Sequence, residues 1–203
     1  MRKLWIGLLL AFVCTGFISR QARAETYYVS PTGNDDLSGK SESEAWASFN
    51  RAWRDLFPGD TLILLDGIYY QTLQPNVRAG QENLPITIKA KNDGMAIIDG
   101  EFARDVIRIG DWTPRDWFVV EGIVARNGLN HVVFIDKGKH NIIRRVSAYN
   151  ASVDDNSAVY AIQYPEAQYN LIEDCVAAGT GRKMVYTYGG LHNTFRRCFT
   201  AWM

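Results

Sequence analysis

The sequence predicts an all-β fold, a parallel β-helix whose short strands coil into a solenoid, with one N-terminal capping α-helix. Three observations carry this reading. The chain repeats with a period of about 25 residues, like-placed residues form chemically sensible columns, and no repeat holds a helix-length apolar pattern.

Four stretches align: Trp117-Phe-Val-Val-Glu-Gly-Ile-Val-Ala125, Asn141-Ile-Ile-Arg-Arg-Val-Ser-Ala-Tyr149, Asn170-Leu-Ile-Glu-Asp-Cys-Val-Ala-Ala178 and Asn193-Thr-Phe-Arg-Arg-Cys-Phe-Thr-Ala201, with starts 24, 29 and 23 residues apart. A second set lies between them: Val106-Ile-Arg-Ile109, Val132-Val-Phe-Ile135, Val159-Tyr-Ala-Ile162 and Met184-Val-Tyr-Thr187, with starts 26, 27 and 25 apart. Each repeat thus carries short β-rich strands between Gly, Asn and Asp turns. A propeller blade needs about 40 residues or more. One turn of a parallel β-helix fits, with coils stacked at about 4.8 Å over one continuous interior.

The columns support stacking. Val119, Ile143, Ile172 and Phe195 are expected to file inward, and Gly122, Val146, Cys175 and Cys198 to form the next inward file. Asn141, Asn170 and Asn193 fall together at a turn, where amides bond along a stack. Arg144, Glu173 and Arg196 alternate in sign, as do Arg145, Asp174 and Arg197. Opposite charges on neighbouring strands favour this register. Cys175 and Cys198 read as two buried thiols, although export would permit a disulfide between them.

Before the repeats, Thr26-Tyr-Tyr-Val29 reads as a strand and Pro31–Gly39 as a turn-rich loop. Ser41 and Glu44 form a capping-box pattern ahead of Trp46, Phe49, Trp53 and Leu56 at helical spacing, and Pro58-Gly59 ends the run. Such a helix suits the open end of a coil stack, whose bare edge otherwise invites aggregation. Thr61–Leu65, Pro85–Lys89 and Ala96–Gly100 continue the strand pattern.

The chain has 203 residues with 22 basic and 22 acidic groups. The first 24 residues hold Arg2, Lys3, Arg20 and Arg23 and no acid, so residues 25–203 carry 18 basic against 22 acidic groups, a net −4. A mildly acidic domain is a poor general binder of nucleic acid or of anionic membranes. Arg2 and Lys3 precede an apolar run from Leu4 to Ile18, and Ala22-Arg23-Ala24 supplies small residues for cleavage. This is the order of a secretory signal peptide over 1–24. The run of 15 residues is shorter than the roughly 20 that span a bilayer. A single β-helix domain over 25–203, secreted to the periplasm or the exterior, is the expected product. The chain closes at Met203, just after the fourth aligned strand, which reads as a stack truncated at that end or one that pairs through it.

Tyr28-Val-Ser-Pro-Thr-Gly-Asn-Asp35, the amphipathic helix, Pro58-Gly-Asp-Thr-Leu62, Asp66-Gly-Ile-Tyr69, Pro85-Ile-Thr-Ile88 and Ile98-Asp-Gly100 occur in an order that resembles the opening of the secreted pectate-lyase-like superfamily. The family-9-type pectate lyases and the chondroitinase B and alginate lyase type are the most similar in motif. The resemblance implies a right-handed parallel β-helix and β-elimination on an acidic polysaccharide. It also implies a Lys or Arg base, with calcium or another cation to neutralise the substrate carboxylate. That family chemistry transfers to no named position here.

Candidate residues therefore rest on this chain alone. The longest connection, Asn141 to Val159, spans 18 residues against 15 and 14 in its neighbours, and its surplus holds Asp154 and Asp155. These carboxylates offer hard oxygen ligands for calcium, although a solvated acidic turn is the commoner reading. Arg182 and Lys183 follow a glycine-rich turn and can supply a base, although such pairs are more often plain surface charge. Phe134, Tyr186 and Tyr188 are placed on an outward strip able to stack on sugar faces. His140 and His192 share one turn position and read as structural, and His131 has no evident partner. The expected function is lyase-like, with polysaccharide as partner. A glycoside hydrolase on the same fold would need two outward carboxylates, and Glu173 and Asp174 are already claimed by the charge columns. A non-catalytic carbohydrate-binding or cell-surface protein is the other alternative.

Overall fold

A computed structural model describes residues 24–154 and 156–203. All but the last residue of the expected signal peptide, and Asp155, lie outside the described residues. The chain winds through three parallel sheets. The first holds Thr26–Val29, Thr61–Leu64, Ile86–Ala90, Phe118–Glu121, Ile142–Arg144, Leu171–Glu173 and Thr194–Arg196. The second holds Gly67–Tyr69, Ala96–Asp99, Val124–Gly128, Ser147–Ala151, Val176–Gly179 and Phe199–Trp202. The third holds Ile107–Ile109, His131–Ile135, Ala158–Gln163 and Lys183–Tyr188. Every pairing between these strands is parallel, as the parallel β-helix requires. Among the described residues no helix is long and apolar enough to cross a membrane.

The interior is one continuous file system. Leu62, Ile88, Val120, Ile143 and Ile172 stack in register and are fully or almost fully buried, and Phe195 extends the file. The file therefore passes through Val120, one residue after the expected Val119. The next file likewise passes through Ile123, not Gly122, and continues with Val146, Cys175 and Cys198. The reason is the backbone at the bend. Gly122, Arg145, Asp174 and Arg197 share a left-handed conformation, with φ between 51° and 72°, and point away from the core. That position tolerates Gly, Arg and Asp alike, so composition does not mark it. Cys175 and Cys198 are free thiols. Burial pushes the Cys175 thiol up to about 11.

The asparagine column forms as expected. Asn141 Nδ2 donates to Asn170 Oδ1 at 3.0 Å, and Asn170 Nδ2 donates to Asn193 Oδ1 at 3.0 Å. The same oxygens accept backbone N–H groups of the preceding coil. One residue earlier, at a second left-handed position, the rings of Trp117, His140, Tyr169 and His192 stack with centroid spacings of 4.2, 5.3 and 4.9 Å. This ladder accounts for the two turn histidines.

The charge columns also hold. Lys89, Glu121, Arg144, Glu173 and Arg196 lie in register with alternating sign. Arg196 meets Glu173 at 2.6 Å, Arg197 meets Asp174 at 2.6 Å, and Arg145 meets Asp93 at 2.7 Å. Glu173 and Asp174 are thereby engaged in structure, which disfavours a hydrolase pair there.

The helix is shorter than its pattern suggests. Glu42–Glu44 is a 3-10 turn whose Ser41 side chain makes no cap, and the α-helix is Phe49–Asp55, capped by Ser48. Asp35 sets this start. Its carboxylate accepts from Ala47 N, Ser48 N and the Ser48 hydroxyl, holding the chain extended until Ser48. Trp46, Phe49, Trp53 and Leu56 all still enter the core.

Asp35 and Asp99 imply a pH response. Burial raises both carboxyls, but hydrogen bonds outweigh it. Ser48, Ala47 and Arg51 act at Asp35, and Glu101 N, Arg126 and Asn127 at Asp99, so both end below the ordinary 3.8. A carboxyl lowered on folding stabilises fully above its unfolded value, and that stability fades as pH falls through the folded value. The urea midpoint is expected to fall below pH 3.8, and less steeply in Asp99→Asn. Equal slopes in the two proteins would refute this.

Candidate functional site

The outer face of the third sheet brings the densest chemistry together. Register places Arg108, Phe134, Ala161 and Tyr186 in one outward row. His131, Ala158 and Lys183 form the row before it. Beyond the strand Ile107–Ile109, Gly110 turns the chain outward at φ 88°, and a Cβ there would lie 2.1 Å from the Lys137 carbonyl oxygen. This close approach sets Asp111-Trp112 beside Lys137. Arg108, Asp111, Trp112, Asp136, Lys137 and Tyr164 then line a depression of about 100 Å³.

Electrostatics divide the face into spent and available charge. Arg108 contacts Asp136 at 2.5 Å, Asp111 at 3.4 Å and Asp105 at 3.6 Å. Burial raises the Asp136 carboxyl, with Arg108 opposing. Lys137 makes no ion pair among the described residues, and its ammonium lies 5.9 Å from the Trp112 ring centre and 5.2 Å from that of Tyr164. Trp112 is 88% exposed. An exposed indole beside an uncommitted ammonium offers a stacking plane and an anion contact within one sugar's reach.

His131 is 7% exposed, stacked on Phe134 at 4.3 Å, and its Nε2 has no hydrogen-bond partner among the described residues. Burial lowers its pKa, Asp105 opposes, and Arg108 and Lys183 lower it further. The imidazole is therefore neutral near pH 7.

The expected aromatic strip is corrected. Phe134 is 5% exposed, covered by the His131 ring and by the Arg108 guanidinium at 5.3 Å, and cannot stack on a sugar. Tyr186 is half-buried and its hydroxyl donates to Gln163 at 2.8 Å. Tyr188 alone of the three is well exposed, at 67%. Lys183 opens the strand Lys183–Tyr188, with its ammonium 4.6 Å from the Tyr186 ring centre. Arg182 N donates to Ser157 Oγ, and Ser157 Oγ donates to the Asp154 carbonyl, so the cationic turn and acidic loop do meet. Asp154 accepts weakly from Ser152 at 3.3 Å. The described donors fall short of a calcium shell of about six to eight oxygens, and no group of three or more His, Cys, Asp or Glu is placed for a metal among the described residues. Trp112, Lys137 and Tyr164 escaped sequence reasoning because they sit in turns between repeats, outside every aligned column. The signal available was a tryptophan in the Asp111-Trp-Thr-Pro114 turn, a poor place for a core residue.

The family model for chondroitinase B matches residues 44–180, well over half of the chain. The chain belongs to the chondroitinase B family. Pectate lyase L of Dickeya dadantii (strain 3937) is 28% identical over an alignment of 135 residues that covers 61% of this chain and 31% of that protein. This family member thus spans about a third of the length of that curated relative. Among solved structures, pectate lyase Pel9A superposes with a TM-score of 0.58 at 20% identity, covering 77% of this chain and 49% of its own. Pectin methylesterase PemA from Erwinia chrysanthemi gives 0.53 at 13% identity, covering 82% and 54%. Both likenesses establish the shared β-helix fold.

Proposed function

We propose that this is a secreted, carbohydrate-active protein that binds an acidic polysaccharide along the third-sheet face and cleaves it by β-elimination. The observation that carries this is Trp112, an almost fully exposed indole, set beside Lys137, which has no ion pair among the described residues. The indole and Tyr164 present apolar planes to sugar C–H faces, and Lys137 faces a uronate carboxylate. Membership of the chondroitinase B family and the likeness to pectate lyase L support polysaccharide as the substrate class.

In the proposed step Lys183 acts as the base and takes the proton next to the carboxylate. The electron pair forms the ring double bond, and the glycosidic carbon–oxygen bond breaks. The leaving oxygen takes a proton from solvent water. Lys137, beyond the far end of the strand His131–Ile135 from the row of Lys183, binds the carboxylate of another uronate of the same polysaccharide. Arg182 supports the substrate from the adjoining turn, and Asp154 lies on the loop that meets this turn through Ser157.

The test is incubation with polygalacturonate, alginate or chondroitin sulfates, reading the ultraviolet absorbance of unsaturated uronate ends. At least one substrate is expected to yield product. Lys183→Ala should lower turnover by about 10²- to 10⁴-fold, the usual weight of a general base. Trp112→Ala should weaken binding by about tenfold, roughly 1.4 kcal/mol of stacking. Binding without product would leave a carbohydrate-binding protein, and no binding to any acidic glycan would sink the reading.

A further inference from the structure

Two cysteines stack inside the solenoid, and the register fixes how far apart they lie. Glu173 pairs with Arg196 and Val176 with Phe199, so Cys175 and Cys198 hold equivalent positions in successive coils. Their thiols also have equivalent surroundings. Cys175 Sγ lies 3.1 Å from the Glu173 carbonyl oxygen and 3.6 Å from that of Ile143. Cys198 Sγ lies 3.3 Å from the Arg196 carbonyl oxygen and 3.6 Å from that of Ile172. Glu173 and Arg196 are register partners, and so are Ile143 and Ile172. Side chains with matching contacts share a rotamer, so the two sulfurs are offset by one coil, about 4.8 Å.

That gap decides the chemistry. It is far wider than the about 2 Å between disulfide sulfurs, in keeping with two free thiols. A cation seated midway would have a sulfur on each side at about 2.4 Å. Thiolate bonds to zinc, at about 2.3 Å, give the scale of such contacts. The pair is therefore spaced for a cation that takes two sulfurs in a line. Zinc asks for four donors in a tetrahedron. The cavity at the pair, about 10 Å³, is walled chiefly by Ile172, Ala177, Val185 and Phe195, and no imidazole or carboxylate among the described residues lines it. Its size is about the least that holds one water, so there is room for a single small ion. Soft thiolate ligands select monovalent copper. The carbonyl oxygens of Ile143, Ile172, Glu173 and Arg196 turn the negative ends of their dipoles toward the sulfurs, which favours a cation there over bare thiolates.

We infer that Cys175 and Cys198 form a binding site for one Cu(I) ion, held in a line between two coils of the stack. On binding, at least one S–H bond breaks, a sulfur–copper bond forms, and the proton passes to the buffer. The copper arrives and stays as Cu(I), so no electron is transferred. Entry is from Cys198, which is only partly buried, whereas Cys175 is buried. The ion acts as a staple between the coil of Val176–Gly179 and that of Phe199–Trp202. The site lies inside the stack, not on the outer face of the third sheet, and its test involves no glycan.

The chain carries three cysteines, and Cys14→Ser leaves these two. That protein, reduced and kept free of oxygen, is titrated with Cu(I) in competition with a chromogenic Cu(I) chelator. One ion per chain is expected, with an affinity that rises with pH as thiol protons are displaced. Cys175→Ser and Cys198→Ser should each weaken binding by about 100-fold or more, beyond the usual cost of losing an outer-shell partner. Free Cu(I) at about 100 times Kd should raise Tm by about 5–10 °C. That rise should vanish in Cys198→Ser, and Zn(II) should not reproduce it. Tm without metal reports the fold of each variant, and the partly exposed position of Cys198 keeps the test open should Cys175→Ser misfold. Absence of binding, a stoichiometry other than one, affinity that survives either substitution, or an equal response to Zn(II) overturns the site. A Cys175–Cys198 disulfide in protein isolated without reductant overturns it too, since the sulfurs would then lie too close to admit an ion.

Discussion

Asn170→Ala is expected to destabilise the protein by about 3 kcal/mol, the upper part of what a buried unsatisfied group costs. Asn170 is 1% exposed and works in both directions along the stack. Its Oδ1 accepts from Asn141 N and Asn141 Nδ2, and its Nδ2 donates to Gly138 O and Asn193 Oδ1. Alanine leaves Asn141 N orphaned in the core and cuts the amide chain at its middle. Asn193→Ala, at the partly exposed end of the column, should cost clearly less. Equilibrium urea unfolding of both variants decides it. A loss at Asn170 no larger than at Asn193 would mean that the column is ornamental.

Ile143→Ala should cost about 3–4 kcal/mol, within the usual span for large-to-small changes in a core. Ile143 is fully buried between Val120 and Ile172, so the hole opens between two coils. Collapse is limited because backbone hydrogen bonds fix the spacing of the coils. Its neighbour Ile142 points the other way and is only partly buried, so Ile142→Ala should cost about 1 kcal/mol or less. Near-equal losses for the two would contradict the inward file, and with it the registration of the coils.

Much of this was legible from residues alone because stacking writes the same chemistry at the same place in successive coils. The asparagines at 141, 170 and 193 and the arginine–acid alternation gave the register of the later coils correctly. The first coil slipped by one residue because its turn holds Phe118 where the others hold Asn, and Gly122 where they hold Arg or Asp. Neither difference disturbs the fold, since left-handed bends accept all three residue types. The helix start was hidden for another reason. It is set by Asp35, more than a dozen positions upstream, whose contacts no local pattern reports. The site was the least legible part. Burial of Phe134 arises from His131 and Arg108 on two different coils, and exposure of Trp112 from the turn at Gly110.

The alternating charges from Lys89 to Arg196 impose a parity on the molecule. Excising the coil that carries Arg144 would set Glu121 against Glu173, and excising the one with Glu173 would set Arg144 against Arg196, like facing like. Excising two adjacent coils restores opposite neighbours. A solenoid of this kind can be shortened or lengthened without penalty on this face only in even steps.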